Sequence, residues 1–378
     1  MRRSAEQERE QLHETFTTLC KIESPSRRER RCADWVTAEL VRLGLEVEED
    51  EAGPRAGSDS GNLLTRVKGR GPDSILLCAH LDTVPLTAPV EPVLVDGGFE
   101  NANEGILGAD NKSAVSIMIE VARRLSKRPE PPEVGLELLF TVCEEVGLVG
   151  AKEFDASRLQ SRFGYVFDHA SPVGEIVLAS PTQYRLMAEL HGRAAHAGVR
   201  PEDGRNAIAA AAHGIAAMTI GRVDPETTAN VGTITGGTAQ NVVAERCELV
   251  AEARSIDPAK AEALVSEMVD HLGDAANASE CDLDVTVEQV FKGFRLRPSS
   301  PQILLAERAL RESGYEPSHI STGGASDANA LEAQGFSCTN LADGTQRNHQ
   351  PDERIGVDAL DGMFEVAIAL LENAADVV

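Results

Sequence analysis

A chain of 378 residues is long for one hydrophobic core and reads as two domains. Its 42% hydrophobic and 26% charged content is that of an ordinary globular protein, while 61 Asp and Glu against 36 Lys and Arg give a formal net charge of -25. Such acidity excludes nucleic acid and anionic membranes as partners, since both require a basic face.

The start, Met1-Arg2-Arg3, has basic residues but no apolar stretch behind them, and no run approaches the length that spans a bilayer. Helical periodicity follows over 5–20 and 28–43, the second segment stopping at Gly44. Residues 74–79 form a continuous apolar run, as in a strand buried on both faces, and His80 and Asp82 follow it directly. Asp110 opens an amphipathic helix with Val115, Met118, Ile119, Ala122 and Leu125 on one stripe. A second buried strand, 136–142, runs into Glu144-Glu145, and a third, 165–167, runs into Asp168.

The pattern changes near Ser180-Pro181. Strand 182–191, helix 206–218, strand 231–235, strand 241–254, a helix after Asp257-Pro258 and strand 282–291 predict a small antiparallel sheet backed by two helices. After Pro298 the first style returns, with helices over 301–313, from 327 and over 357–374, and strands near 320 and over 336–341. The fold class expected is α/β, a mainly parallel central sheet covered by helices, with an inserted α+β, ferredoxin-like domain. The boundaries are 1–180 with 294–378 for the first domain and 181–293 for the insertion. The seven cysteines (20, 32, 78, 143, 247, 281, 338) form no C-x-x-C pair, so no disulfide framework and a cytoplasmic location are expected.

Ligands of open α/β sheets gather at the carboxyl ends of parallel strands, where His80, Glu144-Glu145 and Asp168 fall. With Asp110 and His349 they supply imidazoles and carboxylates suited to two divalent metals sharing a bridging carboxylate, with one carboxylate left to move protons. Asp82, one residue beyond His80, can accept from the far nitrogen of the imidazole and fix its tautomer. Glu144 and Glu145 point in opposite directions from a strand end, so one can bind metal while the other faces substrate. Singly each reads differently: Asp110 as a helix cap, the glutamates as a solvated loop, His349 as a residue of a polar loop. The ordered set is the stronger signal.

That set resembles the dinuclear zinc peptidases of the aminoacylase, carboxypeptidase G2 and peptidase T family, the M20 type. The likeness runs through Ala79-His80-Leu81-Asp82-Thr83-Val84-Pro85, Gly108-Ala109-Asp110-Asn111-Lys112, Glu144-Glu145, Asp168, Ala195-His196-Ala197-Gly198, Asn206-Ala207 and His349. Gly-Ala-Asp-Asn-Lys is similar to the peptidase T branch. The resemblance implies that His80 and Asp168 hold one metal, Glu145 and His349 the other, and that Asp110 bridges them. It implies Glu144 as general base, Asp82 as the group orienting His80, and a cis Asp110–Asn111 peptide. His196 would stabilise the oxyanion, Asn241 and Arg254 would grip a substrate carboxylate, and the insertion would be a lid through which a homodimer forms.

The activity so implied is metal-dependent hydrolysis of short peptides by a dizinc exopeptidase, a peptidase T-like aminopeptidase, with two Zn2+ per chain (Co2+ or Mn2+ also suiting the ligands). A carboxypeptidase or N-acyl amino acid deacylase on the same scaffold is the alternative. Tripeptidases of this branch carry an Arg-Gly-Gly-Thr-Asp loop, which here reads Thr322-Gly323-Gly324-Ala325-Ser326-Asp327, without the arginine. A non-catalytic binding protein on this fold would be expected to have lost Glu144 or a ligand, and this chain retains all of them.

Overall fold

The computed structural model describes residues 4–377. Two compact units divide it: 4–178, 296–321 and 326–377 in one, 179–295 and 322–325 in the other.

The first unit is built on a twisted sheet whose strands lie in the order Val47–Glu49, Leu63–Val67, Gly135–Thr141, Ser74–His80, Gly164–His169, Cys338–Ala342, Glu175–Ser180, with Ser318–Ser321 beside the last. Its four central strands, Gly135–Thr141 to Cys338–Ala342, run parallel. Strands pair antiparallel on either side of them. The sheet is therefore parallel only in its middle, less extensively than the sequence pattern suggested. Every residue of Ser74–His80 and Gly135–Thr141 is buried. Apolar side chains on both faces of these strands are what helices on both sides require.

Helix Ala109–Ser126 packs on the strand Ser74–His80 and on the helices Glu6–Cys20 and Val357–Asn373. Leu77, Val115, Met118, Phe140, Phe167 and Phe364 belong to one continuous core. Each central strand therefore ends, at its carboxyl side, at the same edge of a rigid layer.

A separate antiparallel sheet orders Thr345–Gln346, Arg354–Gly356, Gly98–Asn101 and Pro92–Val95. Its outer hairpin turns at Asp96-Gly97, both at positive φ, the residue pair that a two-residue hairpin favours. That signal was available in the sequence.

The second unit is a five-stranded antiparallel sheet in the order Gly221–Asp224, Thr227–Gly236, Arg246–Ser255, Thr182–His191, Asp282–Phe291. Leu186, Ala188, Leu190, Cys247, Leu249 and Ala251 point to the helices Ala207–Ala217 and Pro258–Ala278, while Met187 and Val250 face outward. The asparagine Asn206 and the aspartate Asp257 cap these helices through their side chains.

Two details differ from the sequence expectation. The short strand Gly221–Asp224 is an additional edge, and the strand expected over 241–254 begins only at Arg246. Backbone bonds explain the second difference. Ala197 N donates to Asn241 O and Val243 N to Ala195 O, so residues 241–243 pair with the 195–197 segment instead.

Among the described residues no helix is long and apolar enough to cross a membrane. All seven cysteines are free and buried.

Candidate metal centre

Three strand ends, the start of a helix and one loop of the first unit converge on one cluster. His80 Nε2 lies 3.0 Å from Asp110 Oδ1 and 3.7 Å from Asp168 Oδ1. His349 Nε2 lies 3.2 Å from Asp110 Oδ2 and 3.0 Å from Glu145 Oε1. Asp110 thus offers one oxygen to each imidazole. The combinations His80–Asp110–Asp168 and Asp110–Glu145–His349 each bring their ligand atoms within 4.8 Å of one another. Glu144 joins His80 and Glu145 in a third such group. The Asp110–Asn111 peptide bond is cis.

The cluster is electrostatically tense. Burial, and then the charge of Asp110, push the Asp168 carboxyl well above the usual range; burial and Asp168 do the same to Glu144. Burial also raises Glu145, against the hydrogen bond from His349. Asp110 is held far below the ordinary value despite its burial, because His349 and His80 both donate to it. Hydrogen bonds to Asp110 and Glu145 push His349 up to about 10. The carboxylates thus favour positive charge at the cluster, from protonated imidazoles or from a bound cation. Two nitrogens and three carboxylates facing one another is a donor set that divalent transition cations fit.

Asp82 does something other than expected. His80 Nδ1 is 2.9 Å from the backbone carbonyl of Asp82 but 3.5 Å from its carboxylate. The carbonyl is the nearer acceptor, and it leaves Nε2 turned to the cluster. The Asp82 carboxylate instead accepts from Ser26 Oγ at 2.7 Å and from the N–H groups of Glu144 and Glu145 at 2.9 and 3.2 Å.

Those two bonds complete a series. After the strand Gly135–Thr141, Val142 N donates to Asn62 Oδ1, Cys143 N to Glu29 Oε1, and Glu144 N and Glu145 N to Asp82. Four successive amides are each caught by a side-chain oxygen, which fixes where both glutamates leave the sheet. Asn340 clasps Asp168 in the same way, accepting from its N–H at 2.9 Å and donating to its carbonyl at 2.8 Å.

Asn62, Glu29 and Asn340 were not singled out in the sequence. They act on backbone amides of distant segments, and no local spacing announces that. Asn62, which also donates to Asp50 and to Gly150 O, is 1% exposed. Its replacement by alanine leaves several buried groups unpaired and costs roughly 2–4 kcal/mol, read as a lower urea midpoint at unchanged slope.

The remaining candidates lie in the second unit. His196 is exposed and its backbone bridges to Val242, which makes Asn241 its neighbour. Arg254 stands at the far end of the strand Arg246–Ser255, roughly 26 Å along it from Arg246. Its guanidinium is bidentate on Glu252, with a further bond to the Gly323 carbonyl at 3.1 Å, and lies over the Phe291 ring. Within this unit the structure brings His196 and Asn241 together and keeps Arg254 apart from them.

The peptidase dimerisation domain model matches residues 184–280 and that of peptidase family M28 matches residues 62–199. The uncharacterized protein YqjE of Bacillus subtilis (strain 168) is 36% identical over 367 residues, 96% of this chain and 98% of that one. Aminopeptidase PepT from Bacillus cereus superposes with a TM-score of 0.88 at 37% identity, covering 97% of this chain and 99% of that one. A tripeptidase from Staphylococcus aureus gives a TM-score of 0.93 at 32% identity over the same shares.

Proposed function

The chain belongs to the M20 peptidase family, in its peptidase T-like branch, and is a peptide hydrolase; from that premise we propose that it is a dinuclear metal exopeptidase releasing the N-terminal residue of short peptides. One observation carries the reading: Asp110 divides its two oxygens between the His80–Asp168 and Glu145–His349 pairs. The similarity to an aminopeptidase and a tripeptidase supports the choice of substrate.

His80, Asp110, Asp168, Glu145 and His349 are the proposed ligands, and zinc is the proposed metal, with cobalt or manganese suiting the same donors. Bound there, divalent cations acidify a water molecule and polarise the scissile carbonyl. Glu144 is the proposed base. It is 9% exposed, its N–H is anchored on Asp82, and its raised carboxyl is suited to taking a proton from the attacking water and passing it to the leaving nitrogen. Asp82 holds both His80 and the Glu144-Glu145 turn. His196 is proposed to donate to the developing oxyanion, and Asn241 and Arg254 to bind substrate.

Residues 1–180 with 294–378 are the proposed catalytic domain and 181–293 the proposed lid. The match of its dimerisation domain model supports a homodimer through that lid. Free, buried cysteines support a cytoplasmic location.

A carboxypeptidase or N-acyl amino acid deacylase is the second reading. Thr322 stands where tripeptidases of the branch have arginine, so the group that would hold a peptide terminus there is absent. The test is product analysis of di- and tripeptides and N-acyl amino acids with added zinc or cobalt. Release of the N-terminal residue supports the proposal; release only of a C-terminal residue or an acyl acid replaces it with the second reading.

Metal uptake should also release protons. Hydrogen bonds to Asp110 and Glu145 push His349 up to about 10 and favour its protonated form at pH 7, so a metal bound there displaces that proton. Apparent affinity therefore rises with pH up to about 10. Calorimetric titrations in buffers of different ionisation enthalpy should give at least one proton released per chain at pH 7 and less in His349→Ala; equal release in the two proteins would remove His349 from the ligand set.

A further inference from the structure

Glu353 lies four positions past His349, at the end of the Gln350-Pro351-Asp352 turn and just before the strand Arg354–Gly356. It is 1% exposed, an unusual place for a glutamate that pairs with no arginine or lysine among the described residues. Its two oxygens are both committed to backbone amides: Oε2 accepts from Gly108 N at 2.8 Å and Oε1 from Asp110 N at 2.9 Å. Gly108 is in the left-handed region, at φ 76°, and is the residue from which the chain turns into helix Ala109–Ser126.

The same segment reaches Asp110 twice more. Asn348 Nδ2 donates to Asp110 Oδ2 at 2.8 Å, and His349 Nε2 lies 3.2 Å from that oxygen. The 348–353 segment thus holds Asp110 by its backbone through Glu353 and by its carboxylate through Asn348 and His349. The strand Arg354–Gly356 in turn pairs with Gly98–Asn101, which anchors Glu353 on a sheet rather than on a free loop.

We propose that Glu353 is a positioning residue for the dinuclear centre, setting the Asp110 carboxylate between its two imidazoles by fixing the backbone of residues 108–110. This rests on the ligand set proposed above. A buried carboxyl group with both oxygens committed to short amide bonds is a costly device for merely closing a turn, since backbone carbonyls would serve. Groups that orient ligands in this way typically change metal affinity or activity 10–100-fold when lost.

The test compares wild type, Glu353→Gln and Glu353→Asp as full-length protein. Zinc dissociation constants are measured by competition with a chromophoric chelator, kcat and KM on a cleaved peptide, and melting temperature after chelation. Expected are zinc binding weakened about 10–100-fold in Glu353→Gln and kcat lowered by a similar factor with KM little changed. The chelated variant should melt near the chelated wild type, and Glu353→Asp should recover part of the affinity. Unchanged zinc affinity in Glu353→Gln, or a loss of melting temperature in the chelated form with normal affinity, would overturn the positioning role. If wild type itself bound no zinc, the ligand set would fail and this inference with it.

Discussion

Replacing Glu144 by alanine lowers kcat about 10²- to 10⁴-fold on a cleaved peptide and leaves the metal content of the chain unchanged. That is the factor of a positioned general base, the role proposed for Glu144, which is buried, anchored by its own amide, and raised by burial and by Asp168. The second half of the expectation is the more discriminating. Glu144 also groups with His80 and Glu145 at distances that would suit a metal. If it were a ligand, Glu144→Ala would lose metal along with activity. Retained metal with lost turnover assigns it to proton transfer, and Glu144→Gln, which keeps the shape and cannot take the proton, should behave alike.

Asp110→Ala should be the most damaging single change. Asp110 is the shared member of both ligand groups, so its removal strips a donor from each and leaves the facing imidazoles without their carboxylate. Loss of both metals and a fall in kcat/KM of about a thousandfold or more are expected, since several kcal/mol of charge stabilisation depend on them. His349→Ala provides the contrast. It touches only the group with Glu145 and leaves His80, Asp110 and Asp168 intact, so elemental analysis should find about one metal per chain. Equal metal loss in the two variants would deny Asp110 its shared position.

The cluster was legible because parallel strands deliver their carboxyl ends to one edge. His80, Glu144-Glu145 and Asp168 each follow an apolar run, so the order of strands alone brings them near. Asp110 comes from the start of helix Ala109–Ser126 and His349 from a loop; they joined the set by residue type, and the resemblance supplied their ligand roles. What was not legible is the support: Glu29, Asn62, Asn340 and Glu353 work by accepting amide protons from segments far along the chain. No periodicity encodes such a bond, because it depends on register across the sheet. The role expected of the Asp82 carboxylate shifted for a similar reason. Its own carbonyl lies nearer the imidazole, which frees the carboxylate to hold the following turn. The hairpin at Asp96-Gly97 is a different case, a local signal passed over between two more apolar segments.

Anomalous diffraction from crystals of the zinc-loaded protein, at energies on either side of the zinc edge, tests the two-metal centre most directly. Two peaks per chain are expected, one among His80, Asp110 and Asp168, the other among Asp110, Glu145 and His349, with Asp110 touching both. A single peak, or a second one coordinated by Glu144 in place of the Glu145–His349 pair, would contradict this arrangement.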